Sequence, residues 1–532
     1  MRHLTCLFVF ITAFCFSQKE NNLWYFGYNA AIDFNSSPPT KLLNNVQKTE
    51  EGCVTVSDSL GNLLFYTSGD SIYGKNHICM PNGFNLTPFA GAYTMAQSVS
   101  AIRKPGSKNL YYIFSTDSKN GYYAIIDMNL NGGFGDVILK QKHFAENITE
   151  AMLVAPHKDC GKYWIICQGN DIISHKSYLF DGSIVDTNAI VSYVGTNIPV
   201  AIGGDVGMLA LSLDNKKIAS TLDYDTITAV FDFDASTGLL SNQINIHKPF
   251  AYSVCFSPNG KLLYLSADQI NLDPGPKPFS LYQYDLSSNN EAIINSSFYL
   301  VDTITQTPFG DIKVAPDNKM YVSIFGGIFN VLPVINNPDV FGVGCNYSRV
   351  GIDISPNYLG AGLPSKTYST PIISGIGLSK NMIKCSEDDA VLKAIDNPNY
   401  NYLWNTGSTS FSISAVADGK YWVRSEYCQS YRTDTIIVEN VNAANVIPNV
   451  FTPNNDLVND VYKIESDCFT ITDYSIYNRW GNLIKDEKSD AVVWDGKING
   501  NIASNGVYYI VFNYVDKNEV KHSKKTFITL LN

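Results

Sequence analysis

The segment Gly69–Lys75 has the spacing of a phosphate-binding loop, G-x-x-x-x-G-K. Such a loop needs Ser or Thr after the lysine to hold Mg²⁺, and it needs a strand before it and a helix after it. Asn76 occupies the Ser/Thr position, and both flanks have the β-branched and aromatic composition of strands. The sequence therefore favours a loop that connects two β-sheets over a nucleotide site.

Two other segments have features of ligand loops. Gly133-Phe134-Gly135 lacks the third glycine and the following helix of a dinucleotide-binding fingerprint. Asp232 to Gly238 alternates oxygen-bearing side chains as a calcium loop does, but Gln243 replaces the acidic twelfth ligand. We therefore predict neither site and interpret the aspartate segment as a strand that ends in a hairpin turn.

No recognisable set of catalytic residues accompanies these segments. The chain has neither the G-x-S-x-G nor the H-E-x-x-H motif. The histidines after residue 17 stand alone in sequence: His77, His143, His157, His175, His247 and His522. The sequence predicts no catalytic residues, no metal site and no cofactor, although loops that are distant in sequence can still meet in one site.

An oxidising destination would permit disulfides, but the number of cysteines does not allow all of them to pair. Of eleven cysteines, two lie within the first seventeen residues, and the remaining nine cannot all pair with one another. Cys53 and Cys255 lie in apolar strand patterns and are interpreted as small buried hydrophobic residues. The chain has no C-x-x-C pair, so the sequence predicts neither a zinc ribbon nor a thioredoxin-type site.

The N-terminus and the charge predict an exported protein. Residues 1–17 form a basic start, an apolar stretch and a small residue, the pattern of a signal peptide. No later apolar run approaches the ~20 residues of a transmembrane helix. The formal charge of -11 and the absence of a basic cluster argue against nucleic acid as a partner.

Residues 18–379 contain a degenerate repeat, in which an apolar strand, a turn with Asp, Asn or Gly, and a second strand follow one another. The clearest turns contain Asp214, Asn259 and Asp317, and looser copies surround Gly61, Gly106 and Gly161. A spacing of about 45 to 58 residues is typical of four-stranded propeller blades. We predict a seven-bladed β-propeller, closed by the strand Trp24–Gly27 and a stretch from Gly362 to Gly377.

Several blocks of this region are also similar to a recurring family of secreted propellers that carry a C-terminal sorting domain. The blocks are Trp24–Phe34, Gly61–Thr67, Met80–Gly83 and Leu110–Phe114. The family implies no established activity.

Residues 380–441 have a different composition, with short strands and Trp404 between Cys385 and Cys428. This segment resembles an Ig-like or PKD-like module. The resemblance implies a disulfide between Cys385 and Cys428, with two free buried thiols as the alternative.

Five ordered motifs occur in residues 446–532. Their residues are Phe451, Thr452, Pro453, Asn454, Asp456, Asn459 and Asp460; Asn478, Arg479, Trp480 and Gly481; Trp494, Asp495 and Gly496; Gly506 and Tyr508; and the closing Lys525–Leu531. The segment resembles the gliding motility-associated C-terminal domain, the type B sorting domain of the type IX secretion system. The resemblance implies a β-sandwich, and delivery across the outer membrane by that system's machinery.

One departure and one ambiguity accompany this resemblance. The family usually has Gly where Asn455 and Leu457 stand, which weakens any calcium-loop interpretation. For Trp480 and Trp494 we expect core packing rather than surface recognition, because aromatic residues supply much of the buried area in a small domain.

The predicted fold is therefore all-β, with a seven-bladed propeller, an Ig-like sandwich and a sorting sandwich. The leading hypothesis is a cell-surface or released binding protein of the adhesion type, whose propeller binds an extracellular glycan, peptide or protein. The alternatives are an extracellular hydrolase or lyase and a structural component of the surface or gliding apparatus. Two carboxylates within ~10 Å in an axial pocket would favour an enzyme, and a flat aromatic rim would favour binding.

Overall fold

The computed structural model describes residues 19–88, 95–171, 174–194, 207–221, 228–247, 251–267, 278–370, 381–385, 390–394, 397, 399–428, 430–441, 447–466, 468–516 and 519–531. The chain forms two units. Unit 1 is Met1–Ile372 with Cys428–Ser430, and unit 2 is Ile373–Tyr427 with Tyr431–Asn532. The predicted signal peptide lies outside the described residues, as do residues 371–377 of the predicted closing stretch. No helix within the described ranges is long and apolar enough to cross a membrane.

Unit 1 contains seven sheets among its described residues, and in each of them consecutive strands pair in an antiparallel way. The strands of the first three sheets are β1 (Leu23–Phe26), β2 (Ala30–Asp33) and β3 (Thr40–Leu42); β4 (Cys53–Ser57), β5 (Leu63–Thr67) and β6 (Ile72–Gly74); and β7 (Val99–Arg103), β8 (Leu110–Thr116), β9 (Asn120–Asp127) and β10 (Asp136–Glu146). The strands of the fourth and fifth sheets are β11 (Ile148–Pro156), β12 (Tyr163–Gly169), β13 (Ser174–Phe180) and β14 (Ile190–Tyr193); and β15 (Leu209–Leu211), β16 (Lys217–Ser220), β17 (Thr228–Asp234) and β18 (Leu239–Ile246). The strands of the last two sheets are β19 (Ala251–Phe256), β20 (Leu262–Ala267), β21 (Phe279–Asp285) and β22 (Tyr299–Ile304); and β23 (Phe309–Val314), β24 (Met320–Ile324), β25 (Val331–Ile335) and β26 (Tyr347–Asp353).

Short helical segments lie between some of these strands. A 3-10 turn spans Asn131–Gly133, another spans Gly342–Cys345, and the α-helix α1 spans Glu291–Ser296. Asn290 caps α1, because its side chain accepts hydrogen bonds from the first free backbone N–H groups.

The core of unit 1 lies between neighbouring sheets. One cluster joins Val54 and Phe65 of the second sheet to Val99 and Tyr111 of the third. Another joins the sixth and seventh sheets to Trp24 of the first. The first strands of successive sheets, from β4 to β23, lie side by side around a channel. The seven-bladed propeller predicted from the repeat is confirmed.

The repeated turns also occupy equivalent places, as predicted. Each of the six turns joins the first and second strands of its sheet. In the three clearest copies Asn215, Gly260 and Asn318 have φ angles of 59°, 71° and 61°. Asn and Gly tolerate this left-handed conformation better than other residues, which explains the turn composition.

The closing stretch lies differently from the prediction. Tyr28 pairs with Tyr358, four residues before the predicted start of that stretch at Gly362. The following residues form β27 (Pro364–Ser365) and β28 (Thr367–Tyr368), which pair in parallel with β4 and β7. They therefore line the channel inside the ring instead of adding to the first sheet.

The segment that resembled a phosphate-binding loop joins strands of a single sheet. Gly69 lies in the turn between β5 and β6, and β6 itself occupies the place where a phosphate-binding loop needs a helix. The prediction of a loop that connects two sheets is therefore wrong, although strands flank the turn as expected. Asp232–Gly238 is the end of β17 and its hairpin turn, as predicted.

In unit 2 the strands of the predicted Ig-like module form a four-stranded sheet in the order β29-β34-β33-β31 and a two-stranded sheet of β30 and β32. Their bounds are β29 (Asn381–Cys385), β30 (Ala390–Lys393), β31 (Asn401–Trp404), β32 (Ser412–Ala415), β33 (Gly419–Tyr427) and β34 (Ser430–Val441). Trp404 is buried at the centre of their core.

The predicted disulfide between Cys385 and Cys428 is wrong. Cys428 is bonded to Cys160 within unit 1, with 4.9 Å between the Cα atoms. Cys385 pairs in register with Val441, at the far end of β34, whereas Cys428 precedes the start of that strand. Eleven residues of extended strand span about 36 Å, several times the reach of a disulfide.

The sorting segment forms a five-stranded sheet in the order β35-β43-β42-β37-β38, with two two-stranded sheets, β36-β39 and β40-β41. The strands are β35 (Val450–Phe451), β36 (Tyr462–Ile464), β37 (Phe469–Tyr477), β38 (Leu483–Glu487), β39 (Val492–Trp494), β40 (Lys497–Ile498), β41 (Asn501–Ile502), β42 (Gly506–Asp516) and β43 (Lys521–Leu530). Side chains of β36, β37, β39, β42 and β43 alternate between a buried core and solvent, so one face of the large sheet is covered and the other is open.

Candidate functional site

The segment Pro364–Tyr368 is fixed inside the channel of the propeller. Its backbone pairs with β4 at Pro364 and with β7 at Thr367. Asn21, near the start of the propeller sequence, holds Thr367, near its end. The Asn21 side chain accepts from the Thr367 N–H at 2.7 Å and donates to the Thr367 carbonyl at 3.1 Å. Both ends of the propeller sequence therefore meet in the channel and hold this segment in place.

Two adjoining cavities of about 600 and 420 Å³ open beside this segment. They share six lining residues: Asn21, Leu213, Lys313, Val314, Ser365 and Lys366. Leu213, Asn215, Asp317 and Asn318 belong to turns between first and second strands, so we call the two compartments together the turn-face cavity. Its size is that of a pocket for a small ligand.

Polar groups form part of the lining of the larger compartment, beside apolar ones. These polar groups include Asn21, Asn22, Asn35, Ser36, Ser37, Asp317 and Asn318. Trp24 and Phe34 also line it, but both are buried, at 4% and 8% exposed. The flat aromatic rim that would mark a binding face is therefore absent from the described lining.

Carboxylates are sparse in the same lining. Within the described residues, Asp317 is the carboxylate of the larger compartment and Glu20 that of the smaller one. Glu20 faces Arg103 at 3.5 Å and accepts from the Ser369 hydroxyl. The carboxylate pair of a glycosidase is thus not assembled in either compartment, and the described residues contain no cluster of potential metal ligands.

A second group of acidic residues is buried around Tyr252, which also packs beside the channel. The Tyr252 hydroxyl donates to Glu51 at 2.8 Å, and the Ser253 hydroxyl donates to Asp311 at 2.9 Å. Burial, and then the charges of Glu51, Asp311 and Glu150, raise the pKa of Tyr252 well above its usual value. These carboxylates serve as hydrogen-bond acceptors within the ring and do not line the turn-face cavity.

The thiols beside the channel are shielded from solvent. Cys53 and Cys255 are buried and free, as the sequence predicted. Burial raises the pKa of both thiols, that of Cys255 to about 12. Because the thiolate is the nucleophile, neither cysteine has the character of a catalytic residue.

Lys366 is the charged group that the sequence analysis missed. Its ammonium lies 5.2 Å from the centre of the Tyr368 ring. Solvent reaches the side chain from the cavity, but the surrounding protein lowers the pKa of the ammonium because its charged form is poorly hydrated there. No sequence motif marks this lysine, because the residues around it come from both ends of the propeller sequence and from several sheets.

In the sorting segment, several motif residues form the core. Phe451 and Trp494 are 2% and 1% exposed, with their ring centres 5.4 Å apart. Tyr508 packs edge-on against Trp494 at 4.8 Å and donates its hydroxyl to the Ser504 carbonyl. Gly496, with φ of 75°, lies against Pro453, where a Cβ atom would come within 2.9 Å of the proline ring. The expectation of core packing is confirmed for Trp494.

For Trp480 that expectation is wrong, because this side chain is 75% exposed. It lies at the tip of the hairpin between β37 and β38, where Asn478 accepts from the backbone N–H groups of Trp480 and Asn482. Gly481, with φ of 80°, completes the turn. Arg479 stacks on the Trp480 ring at 5.0 Å, and its guanidinium fits against Gly506, where a side chain would collide with it.

The motif around Asp460 forms a loop closed by its own side chains. The Asp460 carboxylate accepts from the backbone N–H groups of Asn455 and Leu457 at 2.6 and 2.7 Å. Asp456 accepts from Val458 N–H and from the Asn454 amide, and Asn459 accepts from Thr452 N–H through its carbonyl. Farther along the chain, Asp495 accepts from the Lys497 N–H. Within the loop, both acidic side chains are occupied by internal donors.

An exposed apolar row crosses the open face of the sorting sheet. Leu483 lies opposite Tyr477, Tyr477 opposite Tyr509, and Tyr509 opposite Phe527. Leu483, Tyr509 and Phe527 are each 50% to 56% exposed. We call these four residues, which are three aromatic residues and Leu483, the outer aromatic row. It ends at the hairpin that carries Trp480.

Solved structures similar to this chain are distant. They include a protein from Lactobacillus plantarum (12% identity, 65% of this chain and 98% of that chain, TM-score 0.40). Hsv2 from Kluyveromyces lactis (9%, 59% and 90%, 0.34) and a protein from Desulfotomaculum acetoxidans (15%, 54% and 80%, 0.32) are similar to a comparable extent. These likenesses are too weak to carry an argument about function. The comparison with curated proteins found no match.

Residues 445–530 match the family of type IX secretion signal domains, CHU_C. The match spans the sorting sandwich and the five sequence motifs, apart from Leu531 at the end of the last one. The chain therefore carries a type IX secretion signal domain and is exported across the outer membrane to the cell surface or the extracellular space.

Proposed function

We propose that this chain is an extracellular binding protein, in which the secretion signal domain delivers a propeller that binds a ligand in its turn-face cavity. The observation that carries the proposal is the cavity itself, which presents several polar side chains, has the volume of a ligand pocket and is lined by a segment anchored inside the channel. The described lining residues of each compartment do not include the carboxylate pair of a glycosidase, which favours binding over that form of the enzyme alternative.

Binding is testable by filling the cavity. Leu213 lines both compartments and is half exposed, so a tryptophan at this position would occupy the opening without entering the core. Glycan arrays and pull-downs with the secreted protein should identify a ligand, and Leu213→Trp should lose it.

Leu60→Trp is the matched control, because Leu60 is also an exposed residue in a turn between first and second strands and does not line the cavity. It should bind as the wild type does. A ligand that Leu213→Trp retains at full affinity would place binding elsewhere. Turnover of a captured glycan or peptide would support the hydrolase or lyase alternative, and a chain that binds only its own surface structures would support the structural one.

We also propose a division of roles within the sorting motifs. Phe451, Trp494 and Tyr508 hold the domain together, whereas Trp480 and the outer aromatic row contact the secretion machinery at the outer membrane. Support comes from exposure: apolar side chains left open in a continuous row are typical of a protein contact surface. Trp480→Ala should lower the secreted fraction while the domain stays folded. Unchanged secretion by Trp480→Ala combined with Tyr509→Ser would contradict this role.

A further inference from the structure

The cations beside the channel differ in how their charge is balanced. Arg103 lies 3.5 Å from Glu20, and Lys313 lies 3.2 Å from the buried carboxylate of Asp311. Lys366 has no carboxylate within ion-pair distance among the described residues, and its contact is the face of the Tyr368 ring. Among the described residues, Lys366 is therefore a cation of the turn-face cavity that has no paired carboxylate, although Asp317 lies in the same lining.

The backbone that carries this charge is held by bonds on both sides of Lys366. Ser365 pairs with Val54 of β4, and Thr367 is held by Asn21 and donates its hydroxyl to the Thr55 carbonyl. The backbone on both sides of Lys366 therefore cannot move away from the cavity without breaking these bonds. An ammonium in a partly enclosed cavity attracts an anion more strongly than a lysine on the open surface does.

The groups around the ammonium suit hydroxyl groups. Amides and hydroxyls of Asn22, Asn35, Ser36 and Ser37 line the larger compartment together with Lys366. Asp317 adds a carboxylate that already accepts from Tyr321 at 2.9 Å and can accept a further hydrogen bond. Such a mixture of amide, hydroxyl and carboxylate groups matches a polyhydroxylated ligand better than an apolar one.

We propose that the turn-face cavity binds an acidic saccharide, with the sugar carboxylate at the Lys366 ammonium and the sugar hydroxyls at the asparagine and serine side chains of the rim. This inference rests on the proposed binding function and names the ligand class of the same site. One ammonium matches the single charge of a carboxylate, and the volume of about 600 Å³ fits a short oligosaccharide.

The test uses the secreted full chain and defined probes. The probes are oligosaccharides from polygalacturonate, alginate and hyaluronan, each compared with its carboxyl-reduced neutral counterpart by titration calorimetry. We expect at least one acidic probe to bind, its reduced counterpart to bind about tenfold or more weakly, and Lys366→Met to cause a loss of similar size. Lys366→Arg should retain binding because the positive charge stays in place.

Two controls separate the charge from the fold. Lys261→Met removes an exposed lysine in an equivalent turn outside the cavity and should bind as the wild type does. Raising the pH should weaken binding by the wild type as the Lys366 ammonium loses its proton, and this loss should begin below the pH at which an exposed lysine titrates. Lys366→Arg should bind without this loss.

Two results would overturn the inference: no acidic probe binds, or an acidic probe binds equally after carboxyl reduction or in Lys366→Met. If, in that case, Leu213→Trp still abolishes capture of a neutral glycan or a peptide, the binding function stands and the ligand class is wrong. If Leu213→Trp changes the capture of no ligand, the cavity proposal fails as well.

Discussion

The secretion signal domain and the propeller place their functional residues in contrasting ways. In the signal domain, short motifs from about 60 residues of sequence surround one core, with Phe451, Trp494 and Tyr508 in direct contact. In the propeller, the residues shared by the two cavity compartments come from positions as far apart as Asn21 and Lys366. A local motif therefore identifies the first region, whereas a site built by ring closure has no motif of its own.

The contrast is sharpest for the two motif tryptophans. Trp494→Ala removes a ring that is 1% exposed and should destabilise the signal domain by about 3 to 5 kcal/mol. Trp480→Ala removes a ring that is 75% exposed and should change stability by less than about 0.5 kcal/mol. Hydrogen exchange of β42 and β43 in the full chain measures both effects. Similar exchange rates in the two variants would show that the motif tryptophans share one role.

The propeller should respond to acid through one buried histidine. His175 is 2% exposed, neither ring nitrogen has a hydrogen-bond partner among the described residues, and burial lowers its pKa to about 4. The unfolded chain binds a proton near pH 6.5 and the folded chain only near pH 4, so stability is full above pH 6.5 and falls as the pH drops between these values. The total loss should be about 3 kcal/mol.

His175→Leu should remove most of this acid sensitivity, because leucine does not titrate. Urea unfolding at pH 7.5 and pH 4.5 measures the difference, with His143→Leu, at an exposed position of β10, as the control. If wild type and His175→Leu lost equal stability on acidification, other groups would account for the acid response of the propeller.

The smallest effect concerns the loop of the signal domain in which this chain departs from its family. Leu457 has φ of 70° and is 95% exposed, so a leucine adopts a left-handed conformation there with little packing in return. Leu457→Gly should stabilise the domain by up to about 1 kcal/mol, because it relieves backbone strain. Slower exchange of the Asn455 and Leu457 amides would be the signal, and faster exchange would show that the leucine side chain supports the loop.

Particular residues show why some features were predictable and others were not. The turns at Asp214, Asn259 and Asp317 were predictable because left-handed backbone selects Asn and Gly locally. Trp480 was misassigned because its type indicates a core position, whereas its place at a hairpin tip depends on the register of β37 and β38. Cys160 was not recognised as the partner of Cys428, since 268 residues separate them and no local pattern encodes the pairing.

Lys366 was missed for a related reason. Its sequence neighbourhood is an ordinary strand pattern, and we expected that stretch to complete a blade. The hydrogen bonds of Asn21 and the parallel pairing with β4 and β7 place it inside the channel instead. Parallel pairing over two residues leaves almost no periodic pattern in the sequence. The position of this segment in the channel is therefore visible only in the structure.

The most direct test of the account is the fate of a chain that ends at Asn445, before the secretion signal domain. Cell fractionation would measure the share of protein in the medium and on the cell surface, and hydrogen exchange of β11–β14 would measure whether the propeller is folded. We expect this chain to remain in the periplasm with wild-type protection of those strands, because the propeller has its own core and the signal domain supplies export. Normal amounts outside the cell would contradict the export role, and loss of protection in β11–β14 would contradict the independence of the propeller.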